Sequence, residues 1–414
     1  MFKAWLGIKL WKRIFAALVA GVIVGLIWGE GAESIRWIGD VFVRLIRMLV
    51  VPLIFTTLVS GVISMGDPKR LGSIGARAFL LYLFTTAAAI AIGLVMGTVL
   101  QPGAGVDLSG AVARDLGPAM SLSERLYAII PSNPIAALAE GNILAIIVFS
   151  ILIGSGIVLS GDKATVLGDA FKAAAEVMLK ITFLIMELAP FGVFALIAWV
   201  SGTQGVATLA NVFILAVAVY VGCFAHMILV HGGIIRFVVN LPLMPFVRGA
   251  IDPQLVAYST SSSAATLPVT MAASEENHGV GVPVSSSVIP LGATVNMDGT
   301  ALYVGIVALF AAQAFGVKLD MSDYLIIGLT TTLVSIGTAS VPSASLFLLA
   351  AVLESIGMSG AQTAIIVGFI LPFDRILDMM RTVVNVTGDL TVAATVAKYE
   401  GELDKGIYLA RPEI

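Results

Sequence analysis

A chain of 414 residues that is 58% apolar and only 12% charged, with 23 basic and 26 acidic side chains, stands far from soluble domains, which carry about 25% charge. Its net charge of −3 offers no basic surface for nucleic acid, and its single cysteine, Cys223, rules out a disulfide framework or a thiolate-held metal cluster. High apolarity with low charge also excludes a disordered chain, which leaves an all-α polytopic membrane protein.

A spanning helix needs about 20 mostly apolar residues. Residues 13–28 form a first span, 41–65 a second and 79–100 a third. The polar stretch 101–142 leaves the bilayer, although 126–138 could begin another element. Spans four to six fall at 143–159, 170–201 and 206–230, the seventh at 282–315 and the eighth at 361–397. Two further apolar segments do not read as ordinary spans. One, 241–274, holds Ser259-Thr260-Ser261-Ser262-Ser263 at its middle; the other, 324–358, is broken between Ser335 and Ser345 by Gly, Ser and Pro. Irregular backbone at membrane depth is tolerated only inside protein or beside a watery cavity. Paired interrupted segments therefore point to a transporter site built on inverted repeats. Two re-entrant hairpins are expected, with one kinked span each as the plainer alternative.

Basic residues set the orientation. Lys3, Lys9, Lys12 and Arg13 precede the first span and Lys69, Arg70 and Arg77 fill the second short loop, while the first loop has Arg36, Arg44 and Arg47. This bias places the amino terminus in the cytoplasm, and eight spans return the carboxyl tail to the same side. No small-residue cleavage site follows Trp28, so the first span reads as retained.

The eighth span carries Asp374, Arg375, Asp378, Arg381, Thr382, Asn385 and Asp389. At about 100° per residue, positions 374, 378, 381, 385 and 389 share an arc of about 80°. Facing lipid, the ionisable residues of this span would cost on the order of 12–17 kcal/mol. The stripe must face protein or water, where such charges mark a substrate or ion path; a salt-bridge lattice between helices is the alternative. In the seventh span, Asn296-Met297-Asp298-Gly299-Thr300 is poor helix material. Unwound carbonyls and a carboxylate there would suit a hard cation such as sodium, with a polar interhelical contact or a Gly kink as the alternative. Tyr82, Thr85 and Thr86 share one face of the third span, a pattern that more often serves hydrogen bonds between helices.

His226 and His231, with no carboxylate at ligand spacing, read as packing or interfacial residues, and His278 in a polar loop reads as solvated. The serine cluster lacks a Gly-x-Ser-x-Gly elbow, so an intramembrane hydrolase is not supported.

Four motifs occur in order: Ser261-Ser262-Ser263-Ala264-Ala265-Thr266-Leu267-Pro268, Asn296 to Thr300, Gly337-Thr338-Ala339 with Val341-Pro342, and Asp378 to Asp389 with Arg381-Thr382 and Asn385 inside it. Together they resemble, over essentially the whole chain, the dicarboxylate/amino acid:cation symporters, which include bacterial glutamate and aspartate transporters and animal excitatory amino acid transporters. The resemblance implies eight spans and two hairpins in an elevator-type homotrimer. Its scaffold would be approximately 1–75 and 122–203, its transport part approximately 76–121 and 204–398, and 399–414 a cytoplasmic tail. The second hairpin would be the gate.

By the same resemblance Arg381 holds the side-chain carboxylate of an acidic amino acid and Asp378 its amino group. Ser261, Ser262, Ser263, Thr300, Val341, Ser345, Thr382 and Asn385 complete the pocket. The split makes physical sense, since Arg presents a bidentate fork to a carboxylate. Sodium is the implied co-transported ion. One position would use Asn296, Asn385, Asp389 and the Gly292 carbonyl, and a second Tyr82, Thr85, Thr86, Asn296 and Asp298. A third, formed as the gate closes, would use backbone near Thr294, Ser335, Ile336 and Thr338; Met297 belongs to the implied ion-binding set.

Departures from the family pattern matter. Val304 stands where animal members have a proton-carrying Glu, which argues against their potassium-countertransporting cycle. Ser261 and Met379 stand where some members have an arginine, for which Arg375 is a substitute. Ser340, Ser343 and Ser345 stand where many members have Gly, leaving substrate choice open. The expected activity is sodium-coupled import of L-aspartate or L-glutamate across a prokaryotic plasma (inner) membrane, by a protein that is not an enzyme and whose partners are substrate, sodium, lipid and its own copies. Proton-coupled glutamate symport and C4-dicarboxylate symport are alternatives on the same fold, and an anion channel is the alternative from another class.

Overall fold

The computed structural model describes residues 10–64, 68–106, 130–140, 143–204, 206–335 and 345–410. Every regular element among the described residues is helical, apart from an isolated bridge between Val280 and Leu403. Among the described residues, five helical stretches are long and apolar enough to cross a membrane: Lys12–Phe42, Ile74–Leu100, Val148–Met178, Val212–Val239 and Val282–Ala314.

The first group of helices is α1 (Leu10–Trp28), α2 (Arg36–Ser64), α3 (Pro68–Leu100), α4 (Pro134–Glu140), α5 (Ile143–Ser160), α6 (Thr165–Met186) and α7 (Ala189–Gln204). Of these, α1 lies along α7, while α2 packs on α5, α6 and α7. Arg13 joins α1 to the bend between α6 and α7, its Nη1 2.7 Å from Glu187 Oε2. Phe15, Ile23 and Ile27 remain exposed on α1, a surface suited to lipid rather than water.

The next helix, α8 (Val206–His226), continues through π-type turns at Met227–His231 and Ile234–Val239. The segment after it folds as a hairpin, with α9 (Leu243–Gly249) and α10 (Ile251–Thr260) descending to the tip and α11 (Ser263–Ala272) returning. The serine tip has a local cause. Ser261 takes a left-handed conformation (φ 53°) that ends α10, and the extended Ser262 caps α11 by accepting from the Ala265 N–H at 3.2 Å. At the base, Asn277 Nδ2 donates to the Gly249 carbonyl at 3.2 Å, and His278 Nε2 donates to the Phe246 carbonyl at 3.0 Å. Start and finish of the segment are thus together, with the chain turning back at the serine tip.

The seventh apolar segment is two helices, α12 (Val282–Val295) and α13 (Asp298–Ala314), with Asn296 (ψ 89°) and Met297 (ψ 46°) unwound between them, as their composition predicts. The arms of the second interrupted segment, α14 (Met321–Ser335) and α15 (Ser345–Ser355), lie against each other. Its tip, including Ile336, Thr338, Ser340, Val341 and Ser343, lies outside the described residues. Last come α16 (Gly360–Glu400) and the short α17 (Lys405–Leu409). The 41-residue α16 starts at a capping box between Ser359 and Gln362 and stops at Gly401 (φ 77°). It runs among α10, α12 and α13, while α3 lies along α13. The polar stripe of α16 is therefore surrounded by helices.

Candidate binding site

Among the described residues Arg381 is the largest fully buried side chain, with no exposed area. Its Nη2 donates to Asp378 Oδ1 at 2.7 Å, its Nη1 lies 3.0 Å from Asp374 Oδ1, and its guanidinium carbon stands 3.9 Å above the Tyr303 ring. The helical period explains the first two contacts, because 374, 378 and 381 lie on one face. Tyr303 arrives from α13. An unpaired buried guanidinium would be heavily penalised, and here two carboxylates and an aromatic face hold it in one position. Thr382 Oγ1 donates to the Asp378 carbonyl at 2.9 Å.

Burial is what the described pocket residues expected from the sequence have in common. Ser261, Ser263, Thr300, Ser345, Thr382 and Asn385 are all buried, and Ser262 is half-buried. Buried hydroxyls normally find partners, yet Ser261 Oγ and Ser345 Oγ have none among the described residues. Arg375 turns toward the first hairpin, its Nη2 donating to the Thr260 carbonyl at 3.3 Å. Its guanidinium thus reaches the residue that precedes Ser261 at the hairpin tip.

A second constellation surrounds the α12–α13 break. Asn296 Nδ2 donates both to the Asn385 carbonyl at 2.8 Å and to Asp389 Oδ1 at 2.9 Å. The Gly299 N–H donates to Asn385 Oδ1 at 2.8 Å, and Asn385 Nδ2 reaches Met297 Sδ at 3.3 Å. Gly292 faces Asp389 so closely that an added methyl would collide with Asp389 Oδ1 and the Tyr82 hydroxyl. Asn296, Asn385, Asp389 and Gly292 are therefore in one place, and the buried Asn296 Oδ1 has no donor. Carbonyl, amide and carboxylate oxygens in such a cluster suit a hard cation.

Of the second expected set, the structure joins Thr86 to Asp298 directly. Thr86 Oγ1 donates to Asp298 Oδ1 at 2.7 Å, Thr85 Oγ1 to the Tyr82 carbonyl at 3.1 Å, and the Tyr82 hydroxyl to the Val288 carbonyl at 3.0 Å. Thr294 and Ser335 spend their hydroxyls within their own helices, on the Leu291 and Thr332 carbonyls at 2.9 Å each.

Two expectations fail. His226 and His231 are not packing or interfacial residues, because both are completely buried and aim Nε2 at Asp298 Oδ2, at 3.2 and 3.6 Å. His278 is not solvated. It has no exposed area and stacks on Phe246 at 4.8 Å between centroids. Tyr303 was not singled out from the sequence at all. Its only signal was a tyrosine one turn beyond Thr300 in an otherwise apolar run.

The sodium:dicarboxylate symporter family description matches residues 10–399. A proton/sodium-glutamate symport protein of Bacillus subtilis (strain 168) is 36% identical over 403 residues, covering 94% of this chain and 92% of the relative. A proton/glutamate-aspartate symporter of Escherichia coli (strain K12) is 35% identical, covering 97% and 94%. A C4-dicarboxylate transport protein of Bacillus subtilis (strain 168) is 33% identical, covering 95% and 94%.

Proposed function

This chain belongs to the sodium:dicarboxylate symporter family, a family of membrane transporters and not of enzymes, and from that premise we propose that it is a sodium-coupled importer of acidic L-amino acids. The observation that carries this reading is the buried Arg381 held between Asp374 and Asp378. A guanidinium and a carboxylate one turn apart complement a ligand bearing both an anionic side chain and an ammonium. Arg381 receives the side-chain carboxylate, Asp378 the ammonium, and Thr300, Thr382, Asn385 and the tip serines Ser261, Ser262 and Ser263 the remaining polar atoms. Ser345 and the tip of the second hairpin, with Val341, close over the ligand as the gate.

Sodium binds as a co-transported substrate in this reading. Asn296, Asn385, Asp389 and Gly292 supply oxygen ligands at the α12–α13 break, which the orphaned Asn296 Oδ1 supports. The domain division, eight spans, an elevator motion of 76–121 and 204–398 against 1–75 and 122–203, a homotrimer, and a prokaryotic inner membrane with both termini cytoplasmic complete the proposal.

C4-dicarboxylate transport is the second reading, since one relative bears that name. Asp378 disfavours it, because a substrate without an ammonium leaves this carboxylate facing a ligand of like charge in a buried site. Radiolabelled aspartate, glutamate and succinate uptake into proteoliposomes, with inward sodium and proton gradients imposed separately, tests both. Aspartate or glutamate uptake driven by sodium alone is the expected result. Uptake driven only by protons would overturn the ion assignment and keep the pocket, whereas succinate alone would overturn the role of Asp378.

A further inference from the structure

His226 and His231 have no part in the substrate pocket, yet their placement is specific. Five residues apart on an α-helix, they would point about 140° away from each other. Between Met227 and His231 the helix instead adopts i→i+5 bonding, closed by the Gly232 N–H on the Met227 carbonyl. That wider turn returns His231 to the face of His226, and the rings meet edge to face with centroids 4.6 Å apart. Single π-turns inside α-helices recur at functional sites.

Both imidazoles converge on one carboxylate. Asp298 Oδ2 lies 3.2 Å from His226 Nε2 and 3.6 Å from His231 Nε2, while Oδ1 accepts from Thr86 at 2.7 Å. An ionised carboxylate only accepts, so His226 Nε2 carries the hydrogen in this contact. His231 Nε2 is completely buried, has no hydrogen-bond partner among the described residues and faces the same oxygen. His231 also abuts the other cation cluster: a methyl added at Gly388 would stand 3.1 Å from His231 Cε1 and collide with Asn296 Nδ2. The two clusters differ in what they lack. At Asn296 a buried acceptor has no donor, whereas both oxygens of Asp298 already face donors.

The geometry points to His226 and His231 as cation-selectivity residues that hold the Asp298 carboxylate with N–H donors in place of a sodium ion. The chain then binds one ion fewer than the residues Tyr82, Thr85, Thr86, Asn296 and Asp298 alone would imply. Hydrogen bonds to a buried carboxylate favour its charged form, Asp298 accepts two, from Thr86 and His226, and an ion approaching Oδ1 or Oδ2 would meet their hydrogens first. This inference rests on the symport reading for its meaning but is decided by ion occupancy, which can be read without transport.

Two measurements test it. Crystals of the full chain soaked in Tl⁺ should show anomalous density beside Asn296 and Asp389 and none within ligand distance of Asp298. The double variant His226→Ala/His231→Ala should gain density at Asp298, and equilibrium dialysis with ²²Na⁺ should find one more ion bound per chain than in the unaltered protein. His226→Asn keeps an N–H donor and should retain the unaltered count, which separates loss of the donor from loss of the fold. Density at Asp298 in the unaltered protein overturns the proposal, as does an unchanged ²²Na⁺ count in a folded double variant. Failure of the symport reading would appear elsewhere, as ion binding indifferent to aspartate and glutamate together with no gradient-driven uptake.

Discussion

Replacing Arg381 by Ala removes three contacts at once: 2.7 Å to Asp378, 3.0 Å to Asp374 and the face of Tyr303 at 3.9 Å. Two costs follow, and they are separable. The first is structural, since truncating one partner of a buried ion pair costs about 3–5 kcal/mol by stranding the other. Asp374, with no exposed area, is the more deeply buried of the two carboxylates that lose this partner. The second is functional. A hydrogen bond to a charged group contributes about 1.5–3 kcal/mol, and a fork bonded twice to a ligand carboxylate should therefore be worth at least about 100-fold in affinity. Adding Asp374→Asn to Arg381→Ala neutralises the stranded carboxylate. The double variant should recover much of the lost melting temperature in detergent while binding tritiated aspartate as weakly as the single variant. Affinity within threefold of the unaltered protein in either variant would refute the pocket assignment. A double variant no more stable than the single would refute the claim that Arg381 neutralises Asp374.

Asp389→Asn should shift the sodium dependence of aspartate binding to at least about tenfold higher sodium, because an anionic ligand becomes neutral; isothermal titration at a series of sodium concentrations reads this directly. Gly299→Ala should disrupt binding without altering any ligand group, since the new methyl would collide with the Arg381 backbone where α13 crosses α16. Loss of aspartate binding with retained helix content by circular dichroism is the expected outcome. At the base of the first hairpin, burial holds the His278 imidazole down at about 4 against the opposing hydrogen bond to the Phe246 carbonyl. The unfolded group titrates near 6.5, so the local contribution is complete above that pH and is lost as pH falls toward 4. Hydrogen exchange of 243–249 and 405–409, corrected for intrinsic rates, should accelerate between pH 7 and 4.5, and His278→Phe should remove that dependence.

The polar stripe of α16 was legible because its period and its cost in lipid leave one orientation. Its partners were only partly so. Asp374 and Asp378 could be placed beside Arg381 by helical spacing, but Tyr303 belongs to another helix, and no local pattern says which residue of α13 meets the guanidinium. The first hairpin was readable from its serines, whose conformations at 261 and 262 are those that small polar residues support. The two histidines were misread for a definite reason. A spacing of five separates side chains on an α-helix, and nothing in Met227-Ile228-Leu229-Val230 announces a π-turn. His278 was misread because Glu275, Glu276 and Asn277 make its neighbourhood look exposed, whereas Phe246 stacks on its ring and Tyr408 of α17 stands 6.2 Å away. That contact joins segments 130 residues apart, and composition carries no trace of it.

Asn385 shows how one residue can tie the proposed ligand sites together. It lies one turn beyond Arg381 on α16, and its three polar groups all face the break between α12 and α13. Its carbonyl accepts from Asn296, its Oδ1 accepts from the Gly299 N–H, and its Nδ2 meets Met297. The unwound segment keeps the Asn296 N–H on the Gly292 carbonyl and the Met297 carbonyl under the Ala301 N–H, both at 2.8 Å, and between them Asn385 and Asp389 on the next turn hold its polar side chains. A cation drawing on Asn296 or Asp389 therefore acts on the backbone that leads into Thr300 and Tyr303, and a substrate seated on Arg381 acts on the same contacts from the other side. Energetic coupling of this kind is reciprocal, typically 1–3 kcal/mol, and it needs no relay, because the two proposed ligand sets share Asn385.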